Sequence, residues 1–138
     1  MKTVLVTGGS RGIGKCIVEN LAKDGFNVLL NYNKSEKQAK QTQKELSEQG
    51  INIEIYKADV SKREDVKKLV KFTLNKFKNI DILINNAGFG VFGEFSEIDL
   101  GKEISLIDTN IKAVHILTKL YLQEMKKKDS GKILNVAS

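Results

Sequence analysis

The sequence predicts an α/β fold with a doubly wound parallel sheet. Short β-branched runs alternate with longer segments of helical periodicity from one end of the chain to the other, and this order is typical of a parallel sheet. The short runs are apolar enough to be covered by helices on both faces. With 138 residues, 41% of them hydrophobic, and no linker composition, the chain is predicted to be one domain, residues 1–138.

Five strands and a helical segment after each of the first four are predicted. The strands cover residues 3–7, 27–32, 52–58, 81–85 and 132–137. The first helix, residues 12–23, stops before Gly25. Its apolar face is expected to carry Ile13, Ile17, Val18 and Leu21.

Sequence motifs predict where the later helices begin. Capping-box spacings at Ser35 and Ser61 predict where the second and third helices begin. After the fourth strand, a loop rich in glycine and phenylalanine, residues 88–95, leads into a long helical stretch, residues 96–128. We expect that stretch to break near Gly101.

The charge distribution bears on the partners. The net charge of +6 comes from 23 basic and 17 acidic residues. The lysines are interleaved with acidic residues, as in residues 62–65, which is typical of a solvated helix face and argues against a nucleic-acid partner. No apolar run approaches the ~18 residues that cross a bilayer, so we expect no membrane association and a cytoplasmic location.

Neither cysteine chemistry nor a metal site is predicted. Cys16 is the only cysteine of the sequence and therefore forms no internal disulfide. Its apolar neighbours predict a small buried packing residue, with a reactive thiol as the alternative. The single histidine, His115, lies in the last predicted helix and is assigned no role.

The most informative segment is the glycine loop, residues 7–14, between the first strand and the first helix. A diphosphate needs backbone N–H groups at close range and a helix N-terminus directed at it. Gly8, Gly12 and Gly14 remove the Cβ atoms that would hold such a ligand away. An ordinary tight turn is the alternative, but the preceding strand and the following amphipathic helix favour a dinucleotide site.

Motifs at separate places, in the right order, resemble the short-chain dehydrogenase/reductase family. The glycine loop has the spacing Gly-x-x-x-Gly-x-Gly after Thr7, and the fourth strand ends in Asn-Asn-Ala-Gly, residues 85–88. Asp59-Val60 follows the third strand, Asn110 lies in the long helix, and Ser138 follows the fifth strand. The resemblance covers the whole chain and implies a Rossmann-type sheet and hydride transfer with a nicotinamide dinucleotide.

The resemblance also implies roles for individual residues. Asp59 is expected to accept a hydrogen bond from the adenine amino group while the Val60 N–H serves a ring nitrogen. The implied catalytic residues are Asn110, which holds a helix irregularity and a water of the proton relay, and Ser138, which polarises the substrate carbonyl. The other implied cofactor-binding residues are Gly8, Ser10, Arg11, Gly12, Ile13, Gly14, Asn31, Tyr32, Asn86, Ala87 and Gly88.

The choice of cofactor depends on the end of the second strand. A carboxylate there would bond the ribose 2′-hydroxyl and repel a 2′-phosphate, but the residues are Asn31 and Tyr32. Arg11 and Lys34 offer positive charge to a phosphate. NADP(H) is therefore favoured over NAD(H), and Glu36 is the residue that counts against this choice.

The proton-transfer pair of the family is not found in these 138 residues. In the family a Tyr-x-x-x-Lys pair follows the serine, whereas Tyr32, Tyr56 and Tyr121 are not followed by lysine at that spacing. We therefore expect a sheet truncated after the fifth strand, an uncovered apolar helix face, and a cofactor-binding fragment without turnover of its own. The complete protein is expected to be a homo-oligomer that acts on a small-molecule carbonyl or alcohol.

Other functions stay open at this stage. The first half of the chain resembles 3-oxoacyl-carrier-protein reductases, whereas residues 89–128 resemble general ketone reductases, so the substrate is not assigned. A non-catalytic dinucleotide-binding or interaction module is the alternative, since it would use the same glycine loop without chemistry. A nucleic-acid binder that exploits the +6 charge is the third and least favoured hypothesis.

Overall fold

A computed structural model describes residues 1–137 and shows five parallel strands in the order β3-β2-β1-β4-β5. The strands are β1 (Thr3–Val6), β2 (Asn27–Tyr32), β3 (Glu54–Lys57), β4 (Ile82–Asn85) and β5 (Lys132–Asn135). The predicted α/β fold with a parallel sheet is confirmed. Ser138 lies outside the described residues.

Helices connect successive strands. They are α1 (Gly12–Lys23), α2 (Glu36–Ser47), α3 (Arg63–Phe77), α4 (Leu100–Ile107) and α5 (Ala113–Lys127). A short 3₁₀ turn (Phe95–Glu97) precedes α4, and a π-helical turn (Asp108–Lys112) joins α4 to α5.

The central strand β1 packs on two cores because its side chains alternate between the faces of the sheet. Leu5 contributes to the core that α3 and α5 cover, which contains Leu69 and Tyr121. Val4 and Val6 contribute to the opposite core, which α1 and α2 cover. The helices therefore lie on both faces of the sheet.

The expectation that every strand is covered on both faces is wrong for the two outer strands. β3 is half-buried and β5 is largely exposed, with Leu134 at 52% exposure. These strands are the edges of the described sheet, where each has a neighbour on one side only. β1 is fully buried because it lies at the centre.

The expected break near Gly101 is present, and the start of α3 differs from the prediction. The long stretch breaks before α4, where Asp99 caps the helix by accepting the Lys102 N–H at 3.0 Å, so Gly101 lies inside the first turn. Ser35 does stand at the N-cap of α2. The N-cap of α3 is Lys62 and not Ser61, because the Ser61 hydroxyl donates to Asp59 at 2.6 Å.

Two predicted core residues of α1 face solvent. Cys16 is exposed and Ile13 is 66% exposed, so both predictions of burial are wrong. The buried side of α1 is the line of Gly14, Val18 and Ala22, which recur every four residues. Residue 16 lies two positions from that line and points away from the sheet.

Candidate functional site

An open cleft of about 1120 Å³ lies at the carboxyl ends of the strands. The chain passes from β1 through α1 to β2 on one side of the sheet, whereas β4 flanks β1 on the other side. This is the point at which the strand order reverses, where open α/β sheets form a crevice for ligands. A smaller depression of about 410 Å³ beside the end of α5 shares no residue with the cleft.

The cleft brings together the predicted site residues that the structure describes. Its wall includes Gly8, Ser10, Arg11, Gly12, Ile13, Gly14, Asn31, Tyr32, Asp59, Val60, Asn86, Ala87, Gly88 and Asn110. Residues as far apart in the sequence as Gly8 and Asn110 therefore share one surface. Ser138, the remaining predicted residue, is outside the described chain.

The glycine loop has the backbone that its sequence requires. Gly8 and Gly12 have φ values of +61° and +57°, in the left-handed region that favours glycine. A Cβ on Gly14 would collide with the Gly8 carbonyl oxygen and the Asn86 side-chain amide, whereas a Cβ on Gly12 would project into open space. Gly14 is thus needed for close packing, and Gly12 keeps the surface above the loop clear.

Thr7 joins the glycine loop to the Asn-Asn-Ala-Gly segment. Its hydroxyl oxygen accepts the N–H groups of Asn86 and Ala87, each at 3.0 Å. In return the Asn86 side chain donates to the carbonyl oxygens of Thr7 at 3.1 Å and Gly8 at 3.0 Å. These bonds hold the two motifs together, and Thr7 is a positioning residue to which sequence reasoning assigned no role.

Asn31 supports the loop from the neighbouring strand and is only 2% exposed. Its carbonyl oxygen accepts the Gly9 N–H at 2.9 Å, and its Oδ1 accepts the Gly8 N–H at 3.4 Å. Its Nδ2 donates to the carbonyl oxygens of Ala58 at 3.1 Å and Tyr56 at 3.3 Å. Asn31 thus ties β2 and the end of β3 to the glycine loop beneath the cleft, and its polar atoms are engaged by the protein.

Two exposed basic residues line the cleft, Arg11 at the start of α1 and Lys34 after β2. Tyr32 and Ser35 line it beside Lys34. Burial raises the pKa of Tyr32, and the charge of Glu36 adds to the rise while Lys40 opposes it. The phenol is therefore neutral at physiological pH and serves as a hydrogen-bond donor.

Asp59 is partly committed to a turn at the end of β3. Its Oδ1 accepts the Ser61 N–H at 3.0 Å and the Ser61 hydroxyl at 2.6 Å, while its own N–H donates to Asp65 at 2.9 Å. These bonds fix the carboxylate against the cleft wall. Val60, the next residue, has a buried side chain that anchors the turn in the core.

Asn110 lies in the π-helical turn, which is where the resemblance placed a helix irregularity. Its Oδ1 accepts the Phe89 N–H at 3.1 Å and its Nδ2 donates to the Phe89 carbonyl oxygen at 2.8 Å. Both polar ends of the amide therefore hold the loop that follows Gly88. The cleft floor beside it contains Asn85, whose Nδ2 donates to Asn135 at 2.9 Å.

Tyr121 does not contribute an acid to the cleft. It is fully buried between α3 and α5, its hydroxyl lies 3.0 Å from that of Thr73, and burial strongly raises its pKa. Within residues 1–137 there is no group of three or more metal-ligating side chains. In the same range, no helix is long and apolar enough to pass through a bilayer.

Comparison with known proteins gives a consistent set of relatives. A family model described as short chain dehydrogenase matches residues 2–138. The 3-oxoacyl-[acyl-carrier-protein] reductase FabG of Staphylococcus epidermidis is 34% identical over 137 residues, which are 99% of this chain and 56% of that protein. A diacetyl reductase, (S)-acetoin forming, of the same species is 36% identical over 138 residues, which are 99% of this chain and 53% of that protein. The chain thus spans about half the length of the curated relatives it matches.

Solved structures agree with this grouping. A metagenomic short-chain oxidoreductase in complex with NADP superimposes with a TM-score of 0.94 at 28% identity, covering 99% of this chain and 62% of that one. The bulky-bulky ketone specific alcohol dehydrogenase of Comamonas testosteroni superimposes with a TM-score of 0.90 at 28% identity, covering 100% of this chain and 55% of that one.

Proposed function

The chain belongs to the short-chain dehydrogenase family, and on that premise we propose that it binds NADP(H) for an oxidoreductase that reduces a carbonyl or oxidises an alcohol. The observation that carries the proposal is the glycine loop at the point where the strand order reverses. There the positive φ of Gly12 and the open space above it leave backbone N–H groups accessible to a diphosphate.

In this proposal, different cleft residues would bind different parts of the dinucleotide. Gly8, Ser10 and the segment 11–14 would hold the diphosphate at the start of α1. Asp59 and Val60 would hold the adenine, with the second carboxylate oxygen of Asp59 directed to the amino group. Asn86, Ala87 and Gly88 would let the rest of the cofactor approach the sheet. The bound cofactor would supply or accept the hydride.

Two features support NADP(H) over NAD(H). Arg11 at the start of α1 and Lys34 after β2 both line the cleft, and their positive charges are available to a ribose phosphate. Asn31 occupies the position at the strand end, and its Nδ2 faces main-chain carbonyl oxygens that a carboxylate would repel. The NADP-bound structure among the similar folds supports the same choice.

We propose that catalysis requires further residues in addition to those that line the described cleft. Asn110 would keep the loop after Gly88 in place through its two bonds to Phe89. Ser138 would polarise the substrate carbonyl. The substrate would be a small carbonyl compound or alcohol, and the exposed apolar residues Ile104, Ile107 and Ile111 support association of two copies in the complete enzyme.

The test is direct titration of the purified chain with NADPH and NADH by isothermal titration calorimetry. We expect saturable binding of NADPH, with NADH weaker. Loss of binding in Ile13→Asp, which places a carboxylate at an exposed position of the first turn of α1 where it would repel a diphosphate, with retained melting behaviour, would locate the ligand at the glycine loop. No binding of either dinucleotide overturns the proposal.

Turnover separates the enzyme from a non-catalytic dinucleotide-binding module. The chain would be joined to a downstream family segment that carries Tyr-x-x-x-Lys, and NADPH oxidation would be followed with a panel of ketones. Oxidation that depends on the ketone supports the oxidoreductase. Binding of NADPH without oxidation by the joined protein supports the module.

A further inference from the structure

A carboxylate stands one residue beyond the cleft wall at the end of β2. The wall runs through Tyr32, Asn33, Lys34 and Ser35, and Glu36 begins α2 directly afterwards. A carboxylate at a helix N-terminus is stabilised by the helix dipole and competes with any other anion there. If Glu36 had no positively charged partner, its carboxylate would therefore repel a phosphate group bound at this end of the cleft.

Glu36 forms an ion pair with Lys40, which lies one turn later on the same helix. The Lys40 Nζ is 3.0 Å from the Glu36 Oε1. Burial raises the pKa of the Tyr32 hydroxyl, and the charge of Glu36 adds to the rise, so the phenol and the carboxylate are close in space. Lys57 pairs with Tyr32 in the strand register and adds a second positive charge near Glu36. The carboxylate is thus paired with Lys40, and the charge of Lys57 adds to the compensation.

We propose that Lys40 is a specificity residue for NADP(H), which acts by neutralising Glu36 so that this carboxylate does not repel the ribose phosphate. The inference rests on the proposed function, since it concerns which dinucleotide the same cleft selects. Lys40 touches Glu36 and not the ligand, so it is a positioning residue. Its removal is expected to change the preference between the dinucleotides and to leave the binding of NADH nearly unchanged.

The experiment is a double-mutant cycle on dinucleotide affinity. Dissociation constants for NADPH and NADH are measured by calorimetry for the unsubstituted chain, Lys40→Gln, Glu36→Gln and the double variant. Because both side chains are more than half exposed, we expect Lys40→Gln to lower the preference for NADPH by only about two- to five-fold. Glu36→Gln should raise the preference, and Lys40→Gln should have no further effect in that background.

A matched control is available on the same helix. Lys44 pairs with Glu48 at 3.9 Å with the same spacing, one turn farther along, so Lys44→Gln makes the same change of charge away from Glu36. An unchanged preference in Lys40→Gln relative to this control overturns the inference alone. The inference is also overturned if Lys40→Gln lowers the preference for NADPH equally in the unsubstituted chain and in the Glu36→Gln background. Lys40 would then act on the phosphate directly. Failure of the unsubstituted chain to bind either dinucleotide overturns the proposed function as well.

Discussion

Asn110 holds the backbone of Phe89 at both polar atoms of its side-chain amide, accepting the N–H at 3.1 Å and donating to the carbonyl oxygen at 2.8 Å. This pairing joins a π-helical turn to the loop that leaves β4. The side chain of Asn110 is exposed, so the bonds contribute mainly to the order of the loop and little to global stability.

Asn110→Ala should loosen that loop without unfolding the protein. Two lost hydrogen bonds of about 1 kcal/mol each correspond to amide exchange at Phe89 that is faster by tenfold or more. The measurement is hydrogen exchange followed by NMR. His115→Ala, at an exposed position of α5, is the control and should leave exchange at Phe89 unchanged. Unchanged protection of Phe89 in Asn110→Ala would contradict the structural role of this side chain.

Asn31→Asp is expected to destabilise the fold strongly, although it alters only the end of the side chain. The amide donates to the carbonyl oxygens of Ala58 and Tyr56, and a carboxylate at that place would be buried against two acceptors. An uncompensated buried charge costs about 3 kcal/mol or more. The free energy of unfolding is measured by urea titration at neutral pH.

A second asparagine close by in the sequence, Asn33, provides the control for this prediction. Asn33→Asp makes the same change of charge at an exposed position two residues later, so it should change the free energy of unfolding by less than about 0.5 kcal/mol. Equal losses in the two variants would mean that net charge, and not the donors of Asn31, controls stability here.

The sequence was sufficient for the parts of the molecule that depend on local chemistry. The glycine loop, the alternation of strands and helices, and the position of α1 follow from neighbouring residues, and the structure agrees with them. The cleft also collects residues 8, 10–14, 59–60 and 86–88, since parallel strands bring their carboxyl ends to one edge.

Features that depend on distant partners were not predicted. Thr7 bonds residues 79 and 80 positions away, and Asn31 bonds a strand 25 to 27 positions away. No local pattern marks such pairs. The apolar neighbours of Cys16 predicted that it is buried. Its exposure depends instead on which side of α1 packs against the sheet, and Cys16 lies on the opposite side.

Thr73 and Tyr121 should respond unequally to removal of their hydroxyls. Thr73 donates to the Leu69 carbonyl oxygen at 2.7 Å, so Tyr121 is the donor in the 3.0 Å bond between the two hydroxyls. Tyr121→Phe leaves Thr73 with a partner and should cost about 0.5–1.5 kcal/mol, whereas Thr73→Val leaves a buried phenol unpaired and should cost about 1–3 kcal/mol. Thermal unfolding of both variants checks the order, and the reverse order would contradict the assigned direction of the bond.

The ion pair of Lys128 and Asp81 ties the end of α5 to the start of β4, with 2.6 Å between Nζ and Oδ1. Burial alone would raise the pKa of Asp81, but the hydrogen bond from Lys128, that from the Thr3 N–H and the lysine charges lower it overall. Both side chains are 24% exposed, so Lys128→Met should reduce stability at pH 7 by about 1–2 kcal/mol.

The same pair predicts a pH dependence with a definite sign. Because the pKa of Asp81 is lower in the folded state, its contribution is complete above the unfolded value of about 3.9 and is lost as the pH falls through the folded value. The stability difference between the unsubstituted chain and Lys128→Met should therefore be constant near neutral pH and shrink below about pH 4. Lys127→Met, which removes an exposed pair with Glu124, is the control and should show little difference at any pH.

Arg11→Ala should weaken NADPH more than NADH, since a guanidinium in the glycine loop is available to the ribose phosphate that only NADPH carries. A hydrogen bond to a charged group contributes about 1.5–3 kcal/mol, which corresponds to a loss of tenfold or more in affinity for NADPH. Calorimetry with both dinucleotides measures the two losses. Arg63→Ala, at the start of α3, removes the same side chain at an exposed position and should alter neither affinity. Equal losses for NADPH and NADH in Arg11→Ala would show that Arg11 contacts the diphosphate common to both, and would overturn the argument for NADP(H).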